Sequence, residues 1–204
     1  MADPRDLFAG LHAQTILELN QLMSGFYHNI EDGLFEMAYA NDDQNYQRHL
    51  IELMRELRFR REQLLKTFTK RVQNAGQGWL STCDGGTERI EERVVANSMA
   101  AKCAAHFAPV LQAIAERTGH ATNRAVERKT LPSGPEELSY HFLMSCRSVS
   151  FDTHSVEMVQ DLFGRFVLDR LGGTYGQINF ALEESGYCTN EQDAELDEFA
   201  LSSA

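Results

Sequence analysis

The chain predicts an all-α, single-domain bundle of about five to seven helices. Three observations carry that expectation. Apolar residues recur at three- and four-residue steps over long stretches, the period of a helix with one buried face. Gly and Pro are few, 14 and 4 in 204 residues, and they gather outside the periodic segments. No alternation of strand and helix patterns is present, so an α/β sheet has nothing to build on. A hydrophobic content of 43% is enough for a sizeable core.

The first helical pattern spans 4–40 through Leu7, Leu11, Ile16, Leu19, Leu22, Met23, Phe26 and Ile30. Gly25 and Gly33 predict a kink or break within it. Asn41, Asp42 and Asp43 offer N-cap oxygens to a second, long helix near 43–74. Its stripe of Tyr46, Leu50, Leu53, Leu57, Leu64, Phe68 and Val72 resembles a coiled-coil seam, interrupted at Arg60 and Arg61. Residues 74–87 read as a Gly-rich loop with Trp79 and Leu80 docked inside it.

Another long helix is predicted near 88–118, with Ile90, Val94, Ala101, Ala104, Ala105, Ala108, Leu111 and Ile114 inward. Pro109 should kink it and Gly119 should stop it. Residues 120–131 read as a polar connector. Pro132 to Pro135 then turn sharply into a helix whose first turn carries Glu136 and Glu137 and which ends near Arg147. Asp152 or Thr153 caps the next helix, which buries Val156, Val159, Leu162, Phe163, Phe166, Val167 and Leu171. Gly172 and Gly173 suggest a break before a last turn set at Tyr175, Ile178, Asn179, Ala181 and Leu182. Residues 1–187 form the expected helical domain and 188–204 an acidic tail.

A net charge of −11 argues against general nucleic-acid binding, which needs an attractive field for phosphate. Charge is uneven, however. Arg55, Arg58, Arg60, Arg61, Lys66, Lys70 and Arg71 crowd one segment against Glu56 and Glu62. The four cysteines form no close pair and read as reduced thiols. The start carries no secretory pattern, and no run approaches about 18 apolar residues, so no membrane span is expected. A cytoplasmic protein is the expectation.

Two blocks carry a family resemblance. The first is Asp32-Gly33-Leu34-Phe35-Glu36-Met37-Ala38 with Gln44, Tyr46 and Arg55-Glu56-Leu57-Arg58. The second opens at Leu131-Pro132-Ser133-Gly134-Pro135. It continues through Phe142, Leu162 to Leu168, Tyr175-Gly176-Gln177-Ile178-Asn179 and Gly186. On these blocks the chain resembles a large proteobacterial family of unknown function, sometimes labelled thymidine phosphorylase. It reads as a short member or an N-terminal-type portion, with the middle of the chain poorly matched. The resemblance implies a helical fold. The blocks are helix-packing motifs and carry no catalytic group. A phosphorylase is unsupported, because no Gly-rich anion loop feeds a helix after a strand.

Possible chemical sites were weighed on spacing. His28/Glu31, His49/Glu52 and His154/Glu157 each place a carboxylate one turn after an imidazole. Di-iron bundles use the opposite order, so these pairs read as surface pairs, and no metal or cofactor is assigned. Ser139, Ser145 and Ser148 lie near His141 and Cys146 without a nucleophile elbow, so no catalytic residue is assigned.

The preferred reading is a non-enzymatic interaction or regulatory module of the bacterial cytoplasm. Its candidate binding residues are Arg55, Arg58, Phe59, Arg60, Arg61 and Lys66, facing an acidic protein partner or anionic ligand. Self-association through the 43–74 helix is a further expectation. The alternatives are a metal- or nucleotide-dependent enzyme using the His/Glu pairs, and an adaptor responding to a cyclic dinucleotide. The acidic tail folding back over the basic helix is a fourth use of the same charges.

Overall fold

The computed structural model describes residues 4–79 and 90–189. Among these, seven α-helices and two short 3₁₀ turns follow one another without a strand. They are α1 (Pro4–Tyr39), α2 (Gln44–Trp79), α3 (Ile90–His106), α4 (Ala108–Thr122), α5 (Pro135–Ser148), α6 (Thr153–Phe166) and α7 (Gly172–Glu184). The all-α expectation holds. The readings for Leu80, Cys83 and the tail from Asn190 fall outside the described residues.

Helices α1 and α2 form a long antiparallel hairpin. Its turn is held by short polar side chains: Asn41 Oδ1 accepts from Asp43 N at 2.9 Å, and Asp43 Oδ1 accepts from Asn45 N at 2.8 Å. Asp43 therefore caps α2, satisfying an amide that the first helical turn leaves open. The α2 stripe is buried as its spacing requires, with Leu50, Leu53, Leu57, Leu64, Phe68 and Val72 all inside.

The core forms where α1, α2, α5 and α6 meet. Phe142 and Phe163 stack at 3.9 Å, and Phe26 and Phe68 present edges to both rings at 5.7–6.2 Å. Edge-to-face packing places the positive ring edge on the negative ring face. Around this centre α3 packs on α5 and α4 packs on α7.

Several local expectations need correction. Helix α1 runs unbroken through both glycines. A Cβ on Gly25 would meet nothing within 4 Å, whereas one on Gly33 would sit 2.9 Å from Leu162 Cδ2, so Gly33 is where α6 approaches α1. Helix α2 continues through Gly76 to Trp79, so the loop does not start at 74.

The 88–118 helix is two helices, broken at Phe107 with Pro109 in the first turn of α4. Pro109 has no N–H for the carbonyl four residues back, which removes the bond that would have joined them. Gly119 does not end α4. The helix runs to Thr122 and stops at Asn123, which takes a left-handed conformation with φ 52°. Gly119 serves that stop, because the returning Arg124 N donates to Gly119 O at 3.1 Å and its carbonyl leaves no room for a Cβ. Helix α6 ends at Phe166, so Val167 and Leu171 are buried from the turn that follows, and Gly172 and Gly173 open α7. On α3, Ile90, Val94, Ala101 and Ala105 face outward, while Glu92, Ala96, Ala100, Cys103 and Ala104 face inward.

Candidate functional site

The six candidate residues lie along the middle of α2 and do not converge. Helical spacing separates them into three directions. Arg58 turns toward α1, where its Nε donates to Glu31 Oε1 at 2.5 Å and its Nη2 closes a second bond to Glu31 Oε2. This two-pronged pair holds the Glu31 carboxyl below the usual carboxylate range. Arg60 turns the other way. Its guanidinium donates to the Val149 carbonyl between α5 and α6 and lies 5.7 Å from the Phe151 ring centre. Arg61 is exposed at the α1 side, where its charge reaches Tyr27 and Glu31. The interruption of the apolar stripe is thus filled by Arg60 and Arg61 straddling the seam.

What remains outward is narrower. Phe59 is 89% exposed, and Arg55 and Lys66 are exposed with it. Positions 55, 59 and 66 share one helical face, and the same line contains Arg48 and Lys70, also exposed. Those two extend the ridge beyond the sequence-derived set; their spacing from Phe59 was the available signal. Glu52, Glu56 and Glu62 also lie on or beside this face. A cyclic dinucleotide site needs several arginines around one aromatic ring, and Arg58 and Arg60 are drawn away from Phe59. The apolar seam of α2 is consumed inside its own chain, so self-association through that seam has no free surface.

The His/Glu pairs fall in different places. His49 and His154 come together from α2 and α6, with rings stacked at 5.1 Å. Ser155 Oγ lies 3.3 Å from His49 Nε2 and donates to Asp152 Oδ2 at 2.5 Å, the carboxylate that also caps α6. Among the described residues no three of His, Cys, Asp and Glu form a group that could hold a metal ion. Cys146 is buried, and that burial pushes its thiol pKa up and favours the neutral thiol. Ser145 Oγ donates back to the His141 carbonyl at 2.7 Å.

Two features escaped the sequence reading. One is a charged cluster where α2, α3 and α5 meet. Arg93 Nη1 donates to Glu137 Oε1 at 2.7 Å, and its guanidinium stacks 3.9 Å over Tyr140. His141 sits beside them, its pKa lowered to about 4 by burial first and then by Arg93 and Arg71. The other is an open cleft of about 370 Å³ between α1 and the start of α7, lined by Glu18, Gln21, Arg170 and Thr174 among others. Its carboxylate is occupied, since Thr174 Oγ1 donates to Glu18 Oε2 at 2.6 Å. Both assemble from segments far apart in the chain, so no local spacing signals either.

Comparison with known families adds one result. Residues 86–186 match the family described as protein of unknown function (DUF1631), N-terminal domain. The expected family resemblance, with its N-terminal-type character, is borne out over this stretch. The match contains the second block and the middle that read as weakly similar, while the block at 32–58 lies outside it. No curated protein and no solved structure matches the chain. Among the described residues no helix is long and apolar enough to cross a membrane.

Proposed function

We propose that this chain is a non-enzymatic interaction module that offers the outer face of α2 to an acidic protein partner. The observation that carries the reading is Phe59, 89% exposed on the outer face of α2 and in line with Arg55, Lys66 and Lys70. An aromatic ring set among cations suits an acidic surface with an apolar centre. Desolvated aromatic anchors dominate binding energy, and the surrounding charges steer the approach. Because the whole chain is acidic, that local cationic line also orients the encounter.

The test compares the wild-type chain with a triple variant, Arg55→Glu, Phe59→Ser and Lys66→Glu, as bait in a bacterial extract. Proteins retained by the wild type at about 0.1 M salt should be lost from the variant, and should also be released at high salt. An identical set of retained proteins on both baits would remove this surface from consideration. Purified protein carrying about one equivalent of metal, with a melting point raised by that ion, would favour the enzymatic reading instead.

A further inference from the structure

Helix α3 carries apolar side chains on the side turned away from its own fold. Ile90 is 77% exposed and Val94 63% exposed, with Ala101 and Ala105 exposed on the same stripe. Asn97 and Ser98 hold the middle of that stripe, both exposed. The opposite side is already used, since Ala96, Ala100, Cys103 and Ala104 are buried and α3 packs on α5.

The stripe is its own complement when reversed. About a midpoint between residues 97 and 98, Ile90 faces Ala105, Val94 faces Ala101, and Asn97 meets Ser98. Each large side chain meets a small one, which lets two helices approach near the short end of the roughly 8–10 Å interaxial range. The central polar pair meets across the axis, where a buried asparagine fixes register. Charge agrees with the same direction. Glu91 and Lys102 are exposed along one edge of the stripe. Antiparallel pairing sets Glu91 of one copy beside Lys102 of the other, twice by symmetry, whereas parallel pairing turns this edge toward the partner's opposite edge and forms neither pair.

We propose that two copies of this chain associate through α3 packed antiparallel on α3, about a two-fold axis between residues 97 and 98. The interface is isologous, so one surface patch supplies both halves. A single helix pair is at the low end of specific interfaces in size, and with no large aromatic anchor in the stripe a weak association is expected, roughly micromolar or above in dissociation constant.

Sedimentation velocity on the full chain, from about 5 to 500 µM, tests this. The 23.1 kDa species should convert progressively to twice that mass. Val94→Glu should weaken the association at least about tenfold, with an unchanged helical spectrum because the site is exposed. Glu91→Lys should weaken it, and Glu91→Lys combined with Lys102→Glu should restore it. A monomer across the whole range overturns the proposal. So does a dimer that survives Val94→Glu, or one that the double exchange fails to restore. The variant at Arg55, Phe59 and Lys66 should dimerise normally, which separates this inference from the function proposed for α2.

Discussion

Helices α2 and α3 both lie against α5, yet they meet solvent on different terms. Helix α2 puts Leu50, Leu53, Leu57, Leu64, Phe68 and Val72 inside and a line of charge around Phe59 outside. Helix α3 has apolar residues on both sides, with Ile90 and Val94 outside. Its inner side even includes a carboxylate, since Glu92 is buried and accepts from Arg147 Nη1. A helix with one apolar face is completed by its own bundle. A helix with two leaves surface that another molecule can bury.

That contrast breaks first at the inner face of α2. Phe68 packs edge-on against Phe142 and Phe163 at 5.8 and 5.7 Å. Phe68→Ala should cost about 3–5 kcal/mol in urea unfolding, from lost burial plus the cavity left behind. A cost under about 1 kcal/mol would mean that the seam is not a core.

The next effect sits where the two helices share a neighbour. His141 on α5 faces Arg71 of α2, Arg93 of α3 and Glu137 of its own helix, with Glu137 Oε2 3.8 Å from its Nε2. Burial and the two arginines outweigh that carboxylate and bring the imidazole down to about 4. The unfolded chain takes up the proton near about pH 6.5, so it binds more protons than the fold between those values. The contribution of His141 is therefore complete above about pH 6.5 and shrinks as pH falls toward 4, by about 3 kcal/mol in total. Unfolding measured across that window should show the slope, and His141→Gln should flatten it.

The smallest effects sharpen the comparison at the two outer faces. Phe59→Ser on α2 and Val94→Ser on α3 should each change the stability of the monomer by less than about 0.5 kcal/mol. A larger loss at either position, read from monomer unfolding at low concentration, would show that the side chain is covered.

The same contrast explains what could be read from residues alone. The α2 seam was legible because its large apolar residues keep to three- and four-residue steps, and Asp43 marks its start chemically. The faces of α3 were not, because alanine suits either environment and the pairing of Glu92 with Arg147 spans distant segments. Glycine was ambiguous for a related reason. Gly25 and Gly33 look alike in sequence, and only the approach of Leu162 separates them. The candidate site was half legible: the run of cations was visible, but Glu31 and the Val149 carbonyl, which divert Arg58 and Arg60, lie far along the chain.

The notch at Gly33 has a mechanical consequence. A Cβ there would meet the side-chain ends of Leu162 at 2.9 Å and Phe166 at 3.4 Å, so any larger residue makes those side chains shift. Sliding α1 by one turn, about 5.4 Å, would drive Asn29 or Met37 into the same gap. Position 33 thus works as a shallow detent that favours the observed axial setting of α1 against α6, and with it the placement of the hairpin that carries Phe59.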